Sequence, residues 1–481
     1  MKRREMLKIS GGLVAGLASG QVKIKAAQIT TPILDSAPAS SGQPRNEVQF
    51  SRSIPVRHEV DVFIAGGGPA GIAAALGARS QNASVYLAEA HTCLGGMGTA
   101  ARVPVFAAFS DGVNFLPGGV GRRIYDRWCQ AARYPGLGIE AEALMRIYDD
   151  LLEESKAQFT LCTRLIGVES ASGRVTHVVC QGKSGLFAVR AKAYIDCTGD
   201  GDLAAWAGAP FEKGDPDGLC QGATLCSLWS GVDWKKVNAA HVDQSSRLED
   251  AYRHKVFNYL DTHLPGMFPL GEHLAGGNCG HLYGVDGTDE RSLTTALVAG
   301  RRQMPAFERY YKEYLKGGFE NIDLLATGSL LGIRETRRIT GDYELVADDF
   351  LKQSVFDDEI GRFNNWWDIH ASRPGQYENE FSRKYGKPFF KYKPGESYGI
   401  PYRILVPRGL DNVWVAGRCV SADRAMLGSI RVMPGCFITG QAAGVAAALS
   451  AERNASSRDV NVKDLQHRLK ALGAFLPNYQ S

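Results

Sequence analysis

Residues 60–89 read VDVFIAGGGPAGIAAALGARSQNASVYLAE, and the rest of the chain is organised around them. Val60–Ala65 is a short apolar run rich in β-branched residues, the pattern of a buried strand. Gly66, Gly68 and Gly71 follow at G-x-G-x-x-G spacing. Pro69 stands where a first helical turn tolerates it, and Ala70–Ala78 continues as a small-residue helix. Ser84–Ala88 is a second apolar run, which Glu89 ends. The three glycines serve a tight turn, close backbone approach to a pyrophosphate, and tight packing of helix on strand. The helix N-terminus offers phosphate its unpaired N–H groups and the positive end of a dipole. Glu89, about 20 residues on, is placed to accept hydrogen bonds from ribose hydroxyls. With 55 glycines in 481 residues the triad alone says little. Strand, glycines, helix, strand and acid in register predict a dinucleotide-binding βαβ unit.

The chain is long enough for two or more structural units with a sizeable core. Its 44% hydrophobic and 22% charged residues match a soluble globular protein. The formal charge of +4 is an N-terminal effect: residues 1–27 hold Lys2, Arg3, Arg4, Lys8, Lys23 and Lys25 against Glu5, so the remainder carries a net −1. That removes the case for a nucleic-acid or anionic-membrane surface. Lys2–Lys8 (KRREMLK) precedes a Gly-rich, mildly apolar run to Gly20 that is too short to cross a bilayer. It looks like a twin-arginine export signal, with a basic tail as the alternative. Small-residue cleavage sites lie near Ala27 and Ala39. Such export carries folded, cofactor-loaded proteins, so the expected location is periplasmic or otherwise extracytoplasmic. No later segment has ~20 uninterrupted apolar residues, and no integral membrane segment is expected in the mature chain. The ten cysteines include no C-x-x-C pair, and Cys162, Cys180 and Cys197 sit in apolar runs. Buried free thiols are expected rather than disulfides or a zinc or iron–sulfur site.

Along the chain, Gln28–Arg57 is a Ser/Pro/Thr-rich linker. A glycine-dense loop, His91–Thr99, follows the acid and is expected to close over the far half of the dinucleotide. Helices are predicted over Val120–Arg133 and Leu137–Ala157, then strands over Phe159–Val168, Thr176–Cys180 and Gly185–Ile195. The last strand runs into TGDGD at Thr198–Asp202, at a strand C-terminal end where ligands of open α/β sheets bind; a plain acidic turn is the alternative. From Phe211 to about Pro394, Trp, Tyr, Arg and His become frequent. Leu331–Tyr343 (LGIRETRRITGDY) packs Arg334, Glu335, Arg337 and Arg338 together, which also suits a solvated helix face. Phe363–His370 (FNNWWDIH) sets Asp368 and His370 beside two tryptophans. Tyr398–Val406 reads as extended and Asn412–Ala416 as a buried strand ending at Gly417-Arg418-Cys419. In Ile430–Gly444 (IRVMPGCFITGQAAG), a helix start near Gly440 would carry almost no side-chain bulk, either for a flat ligand or for close core packing.

IAGGGPAGIAAAL…YLAEA, LGGMGT, AYIDCTGDGDLAA and VWVAGRCVSADRAMLGSIRVMPGCFITGQAAG together resemble the FAD-dependent oxidoreductase family of the glutathione-reductase-like flavoprotein superfamily. GIRETRR and YGIPYR match the same pattern, so the resemblance spans roughly Glu59–Leu449. It implies an α/β fold: a Rossmann-like FAD-binding domain with a β-meander, interrupted by a mixed α+β substrate domain. The corresponding segments are an export signal at 1–27 (cleaved as late as 39), a linker at 28–56, FAD-binding parts at 57–210 and 395–453, a substrate domain at 211–394, and a C-terminal helix or tail at 454–481. The resemblance places the pyrophosphate on Gly66, Gly68, Pro69, Ala70 and Gly71, and the adenosine ribose on Glu89 beside Ala90. It assigns Gly95, Gly96 and Met97 to the ribityl and flavin region, and the segment from Thr163 to Leu165 to adenine. Thr198, Gly199 and Asp200 would close the nucleotide end, and Gly440, Gln441 and Ala442 would present amides to the flavin. Many relatives carry Gly-Asp where this chain has Gly417-Arg418, leaving Arg418 and Asp423 as alternative ribityl partners.

The expected reaction is hydride transfer from a small organic substrate to flavin N5, by a dehydrogenase or oxidase. His370 and Asp368 are the candidate base and anchor, with Tyr398, Arg334 and Arg431 for substrate oxygen or carboxylate. Histidine suits a base because its ordinary pKa is about 6.5. A flavin-dependent isomerase, hydratase or lyase is the second reading, and a non-catalytic binding protein on a vestigial fold the third. Oxygen, a quinone or a cytochrome would serve as electron acceptor, and His91, Cys93, Cys419 and Cys436 stand where a covalent flavin link would form.

Overall fold

The computed structural model describes residues 51–134, 136–240, 244–257, 261, 263–264, 266–374 and 391–479. The expected export signal and nearly all of the expected linker lie outside them. A seven-stranded sheet forms the base, in the order β3-β2-β1-β6-β5-β4, with β15 also paired to β6. Its strands are β1 (Val56–Ala65), β2 (Val85–Ala88), β3 (Gln158–Thr160), β4 (Arg164–Ala171), β5 (Arg174–Gly182), β6 (Gly185–Asp196) and β15 (Val413–Val415). The β1–β2, β1–β6, β2–β3 and β6–β15 pairs are parallel, while β4–β5 and β5–β6 are antiparallel. This is the Rossmann-like α/β sheet with its meander. Val62, Phe63 and Ile64 of β1 are wholly buried, each contributing roughly 1.5–3 kcal/mol. β6 is long enough to serve two neighbours on the side away from β1: its N-terminal half pairs with β5, and Tyr194–Asp196 pairs with β15. Through β15 the late part of the chain rejoins the sheet.

Helix α1 (Pro69–Ser80) covers the sheet and packs along α7 (Met433–Arg453) with no room between the backbones. A Cβ on Gly440 would stand 2.2 Å from the Ala70 carbonyl oxygen, and one on Gly444 2.1 Å from that of Ala74. This corrects the expected helix start. α7 begins at Met433, so Gly440, Gln441 and Ala442 lie in mid-helix, buried, with their amides inside the helix rather than facing a ligand. The small residues serve helix–helix contact. Gln441 uses its side-chain oxygen to accept from the Val120 N–H at the start of α2 (Val120–Ala131). Helix α3 (Ala141–Ser155) buries Leu144, Ile147, Tyr148, Leu151 and Leu152 against the same core, as its spacing predicts.

The insert has its own antiparallel sheet, in the order β11-β8-β10-β9: β8 (Ser227–Ser230), β9 (Met267–Pro269), β10 (Ala275–Gly277) and β11 (Asp323–Thr327). Helix α5 (Glu290–Arg309), extended by a π-helical turn to Leu315, packs on it around Trp229, Tyr310 and Tyr311. This second core runs only from Ala223 to Leu331. Leu345, Phe350, Ile360, Phe363 and Trp367 belong to the main core, so the separately packed insert is shorter than 211–394.

Two local expectations are revised. Arg334–Arg338 form no helix: the segment is extended, enters strand β12 (Arg337–Ile339) and buries Arg334, Glu335 and Arg338. Tyr398–Val406 is extended only through Pro401, then makes a 3-10 turn. No single helix among the described residues is long and apolar enough to cross a membrane. None of the ten cysteines is in a disulfide; seven are buried, although Cys162 is exposed.

Candidate active site

The dinucleotide cradle is built from backbone. Gly66 has φ +93°, and a Cβ there would meet the Cys197 carbonyl oxygen at 2.6 Å; a Cβ on Gly71 would lie 1.9 Å from the Gly66 oxygen. These two glycines let strand, turn and helix close on one another. Gly68 differs, because a Cβ there meets nothing within 4 Å. It is the N-cap of α1, has no side-chain cap, and is followed by Pro69, so the first amides of the helix have no capping side chain to bond. Glu89 is buried and accepts from the Gly67 N–H at 2.6 Å and the His91 N–H at 2.8 Å. Those bonds occupy one site on each oxygen and leave others for ribose hydroxyls. The Gly95–Met97 loop folds back on the turn: Gly95 N–H donates to the Gly67 carbonyl at 2.8 Å, and a Gly96 Cβ would be 3.4 Å from Gly68 Cα. Thr163 N–H donates to the Glu89 carbonyl, so the Thr163 strand entry runs beside Glu89, Ala90 and His91, while Leu165 buries its side chain inside β4.

The Thr198–Asp200 turn closes the end of β6. Thr198 donates its N–H and hydroxyl to Asp196, whose buried carboxyl is pushed up to about 6 by desolvation. Gly199 takes φ +78° directly beneath the Arg418 guanidinium. Arg418 pairs with Asp200 at 2.9 Å and donates to the Thr336 hydroxyl at 2.9 Å. This arginine therefore ties three segments together. Asp423, its alternative as ribityl partner, caps helix α6 (Arg424–Ile430) and accepts from the Met426 and Ala347 N–H groups.

The second part of the site is built from side chains carried by segments that meet only in the fold. Residues 223–224 bridge to Leu282 on one side and Gly332 on the other, and Gly222 N–H donates to the Ala371 carbonyl. The Gln221 side chain accepts from the His370 N–H at 3.0 Å. These backbone ties bring His263, His281 and His370 together, with ring nitrogens within 4.8 Å of one another. The Arg334 guanidinium donates to the Gly222 carbonyl at 2.7 Å, Thr224 hydroxyl at 2.8 Å and Asn278 oxygen at 3.1 Å, and stands 3.4 Å from His263 Nε2. Asp368 lies 3.2 Å from His370 Nε2 and accepts from Arg431, which also holds the Asp368 carbonyl at 2.6 Å.

The electrostatics follow from dryness and these charges. Burial and the Arg334 charge pull His370 down to about 3 against the pull of Asp368, so its imidazole is neutral at pH 7. Burial, His281, His370 and Arg334 likewise hold His263 well below its ordinary value. Burial opposes the charge on Asp368, but His370, Arg431 and Arg334 outweigh it and keep its carboxyl well below the usual range. Arg334 is itself drawn down to about 10 by burial and by Arg431. Four of the five expected catalytic residues, His370, Asp368, Arg334 and Arg431, thus share one group, with Arg334 buried and the other three partly so. Tyr398 does not join them. It is wholly buried in the main core near Phe350, with its hydroxyl 2.8 Å from that of Ser429.

Residues 61–469 match the family described as FAD dependent oxidoreductase. The chain belongs to that family. The flavoprotein has no match among curated proteins. Its fold is similar to p-nitrophenol 4-monooxygenase PnpA from Pseudomonas putida DLL-E4, with 13% identity, 86% of each chain covered and a TM-score of 0.44. It is also similar to a geranylgeranyl bacteriochlorophyll reductase-like protein from Thermoplasma acidophilum, with 14% identity, 86% of this chain and 83% of that one covered and a TM-score of 0.42. Likenesses this distant carry no argument about chemistry.

The residues present fit FAD. The open face at Gly68 leaves room for a pyrophosphate, and Glu89 retains acceptor capacity that a ribose would use. Arg431 immediately precedes Val432, the N-cap of α7, which has no side-chain cap; its Nε is buried and without a partner among the described residues. The amide of Gln221 is another such buried donor. Uncapped helix amides beside an unpaired guanidinium N–H suit an electron-rich flavin edge. The amides near Arg431–Gly435, rather than those of Gly440–Ala442, are the ones at a helix start. Sequence reasoning missed His263, His281, Asp261, Asn278 and Thr224, which come from irregular segments with no spacing to mark them; the rise in His and Trp after Phe211 was their only trace.

Proposed function

We propose that this FAD-dependent oxidoreductase oxidises a small polar organic substrate as a dehydrogenase or oxidase, at the Arg334–Asp368–His370–Arg431 group. Bound FAD supplies a two-electron acceptor for hydride. The chain's own residues do the rest. Arg334, fixed by three acceptors, orients a substrate oxygen or carboxylate. His370, kept neutral, takes the accompanying proton. Arg431 holds Asp368 charged so that the resulting imidazolium has a counterion. The observation that carries the reading is that Arg431 joins this acid–base group to the uncapped start of α7. The sheet, parallel through β3-β2-β1-β6 and extended by an antiparallel meander, supports kinship with glutathione-reductase-like flavoproteins.

Anaerobic mixing with sugars, polyols, hydroxy acids and amines, with flavin bleaching as readout, tests the reading. Bleaching by one class is expected. Turnover without bleaching and without an added acceptor would support the isomerase, hydratase or lyase reading instead. Reoxidation rates with oxygen, a soluble quinone and a cytochrome then select the acceptor. We also propose that KRREMLK directs export by the twin-arginine route to the periplasm. Replacing Arg3 and Arg4 by lysine should retain the protein in the cytoplasm; unchanged export would refute it.

A further inference from the structure

Arg334 is a buried guanidinium with no counterion in contact with it. It reaches only uncharged groups: the Gly222 carbonyl, the Thr224 hydroxyl, the Asn278 side-chain oxygen and, at 3.4 Å, His263 Nε2. These contacts take its two terminal nitrogens and leave its Nε N–H free among the described residues. The two carboxylates nearby are engaged elsewhere. Asp368 pairs with Arg431 at 3.1 Å and His370 at 3.2 Å. Asp261 lies 2.9 Å from His281, which stands 2.7 Å from His370 and so completes a histidine chain. The neighbouring Cys226 thiol is pushed up to about 12 by burial, so at neutral pH it carries no charge to offer. Buried charges in proteins are ordinarily paired; this one is not. Gln221 adds a second unmet donor. Its side-chain oxygen accepts the His370 N–H at 3.0 Å, which fixes the amide's orientation, and its Nε2 is buried with no partner among the described residues. The Asp368 side chain is 30% exposed, so the group is reached from outside.

We propose that the substrate is a 2-hydroxy carboxylate, whose carboxylate pairs with Arg334 and accepts from the Gln221 amide while its hydroxyl faces His370. The inference rests on the oxidase or dehydrogenase reading above and names its substrate class. A carboxylate brings the negative charge and the acceptor oxygens that guanidinium and amide leave unmet. The place of the hydroxyl follows from how close anchor and base stand. Only the His263 ring separates them: Arg334 is 3.4 Å from its Nε2, and its centroid is 4.8 Å from that of His370. The carbon to be oxidised therefore adjoins the carboxylate. A 2-amino acid fits less well, because its ammonium would be set beside two guanidinium charges, Arg334 and Arg431, which already oppose one another. In the step, the substrate O–H bond breaks and its proton passes to His370. The hydrogen on the same carbon leaves with its electron pair to FAD, and the oxygen's pair closes the C=O of a 2-oxo acid. The carboxylate is unchanged and stays on Arg334.

An inorganic anion and the flavin are the competing partners for this charge. Arg431, beside the start of α7, is the arginine placed for the flavin edge. Arg334 is tied instead to Gly222, Thr224 and Asn278, on the side of the insert. A small inorganic anion would meet the charge but would give the Gln221 amide and His370 nothing to hold in a defined direction.

The test has two arms, both on the FAD-loaded full chain. In the first, lactate, 2-hydroxyisocaproate and mandelate are mixed anaerobically, each beside its primary amide and its 2-amino counterpart. At least one acid should bleach the flavin, with its amide and amino counterparts slower by roughly 100-fold or more. Equal rates for acid and amide, or bleaching by a neutral sugar or polyol instead, would overturn the proposal and leave the oxidase or dehydrogenase reading standing. The second arm needs no turnover. Pyruvate, 2-oxoisocaproate and benzoylformate are titrated into the oxidised protein while its visible flavin spectrum is followed. A saturable shift is expected, weakened about 30-fold or more by Arg334→Gln and less by Arg334→Lys. A shift matched by equimolar chloride would mean a general anion hole and would overturn the proposal, as would the absence of both bleaching and any shift. If Arg334→Gln fails to fold, the acid–amide comparison on the native protein still decides. If the 2-oxo acids bind through Arg334 but no donor bleaches the flavin, the hydride-transfer reading fails while the carboxylate anchor stands.

Discussion

The cradle and the histidine chain lie in one molecule and are made in opposite ways. From Gly66 to Met97 the cradle is contiguous in sequence, and its working atoms are backbone amides and the space that absent Cβ atoms leave. The chain of Asp261, His281, His370 and Asp368 is drawn from three irregular segments, and its working atoms are at side-chain tips. On our proposal the cradle holds the half of FAD that does not react. The histidine group, tied through Arg431 to the start of α7, would take the substrate proton on the proposed function. A site made of backbone is specified by local spacing and tolerates no local change. A site made of side chains is specified by the whole fold and should be altered piecemeal, one function at a time.

The largest effect that could break this contrast is in the cradle. Gly71→Ala puts a methyl 1.9 Å from the Gly66 oxygen, so strand and helix must part. The variant should purify colourless or lose at least ~100-fold in FAD affinity, with a lowered melting temperature. Gly68→Ala, with open space at its Cβ, should weaken FAD binding while leaving the melting temperature near native; flavin absorbance per chain after desalting reads both. Next is Arg431→Met, which removes the guanidinium partner of the partly buried Asp368 carboxylate and should cost about 1–3 kcal/mol in urea unfolding while sparing the cradle's shape. Gly440→Ala should cost about 1–3 kcal/mol by forcing α1 and α7 apart. Loss of flavin without loss of stability in that variant would restore a direct cofactor role for the mid-helix residues.

The smallest effect sharpens the electrostatic side. The folded protein holds His370 at about 3, and the unfolded chain returns it to its ordinary 6.5. Between those values the unfolded state binds more protons, so stability is full above pH 6.5 and falls as pH drops toward 3. Asp368, also depressed, adds its own loss below the ordinary carboxylate range. His370→Asn should flatten the decline of melting temperature between about pH 6.5 and 4.5. An unchanged slope would mean the imidazole is not held neutral.

Much of the nucleotide half was legible because its physics is local. An apolar run, three glycines with three steric reasons, and an acid at the next strand end are all written within residues 60–89. The start of α7 was misread because Gly440, Ala442 and Gly444 satisfy two needs alike, ligand approach and helix packing; only the Ala70 and Ala74 oxygens opposite them decide which. For Arg334–Arg338 a solvated helix face stays open as an alternative in the sequence because ion-pair spacing does not reveal burial. In the fold, Glu335 accepts from Arg338, Arg424 and the Gln221 N–H. His370 and Asp368 were found because they are adjacent in sequence. Asp261 and His281 were not, because what joins them to His370 is a hydrogen-bond chain across 20 and 89 positions.

The central claim is that the cradle holds FAD while the histidine chain takes the proton. Anaerobic stopped-flow reduction of His370→Asn by the first donor found to bleach the native enzyme tests it most directly. The account predicts full FAD content, a native melting profile at neutral pH and bleaching slowed about 100-fold or more. Bleaching within about twofold of native, with FAD fully bound, would contradict it.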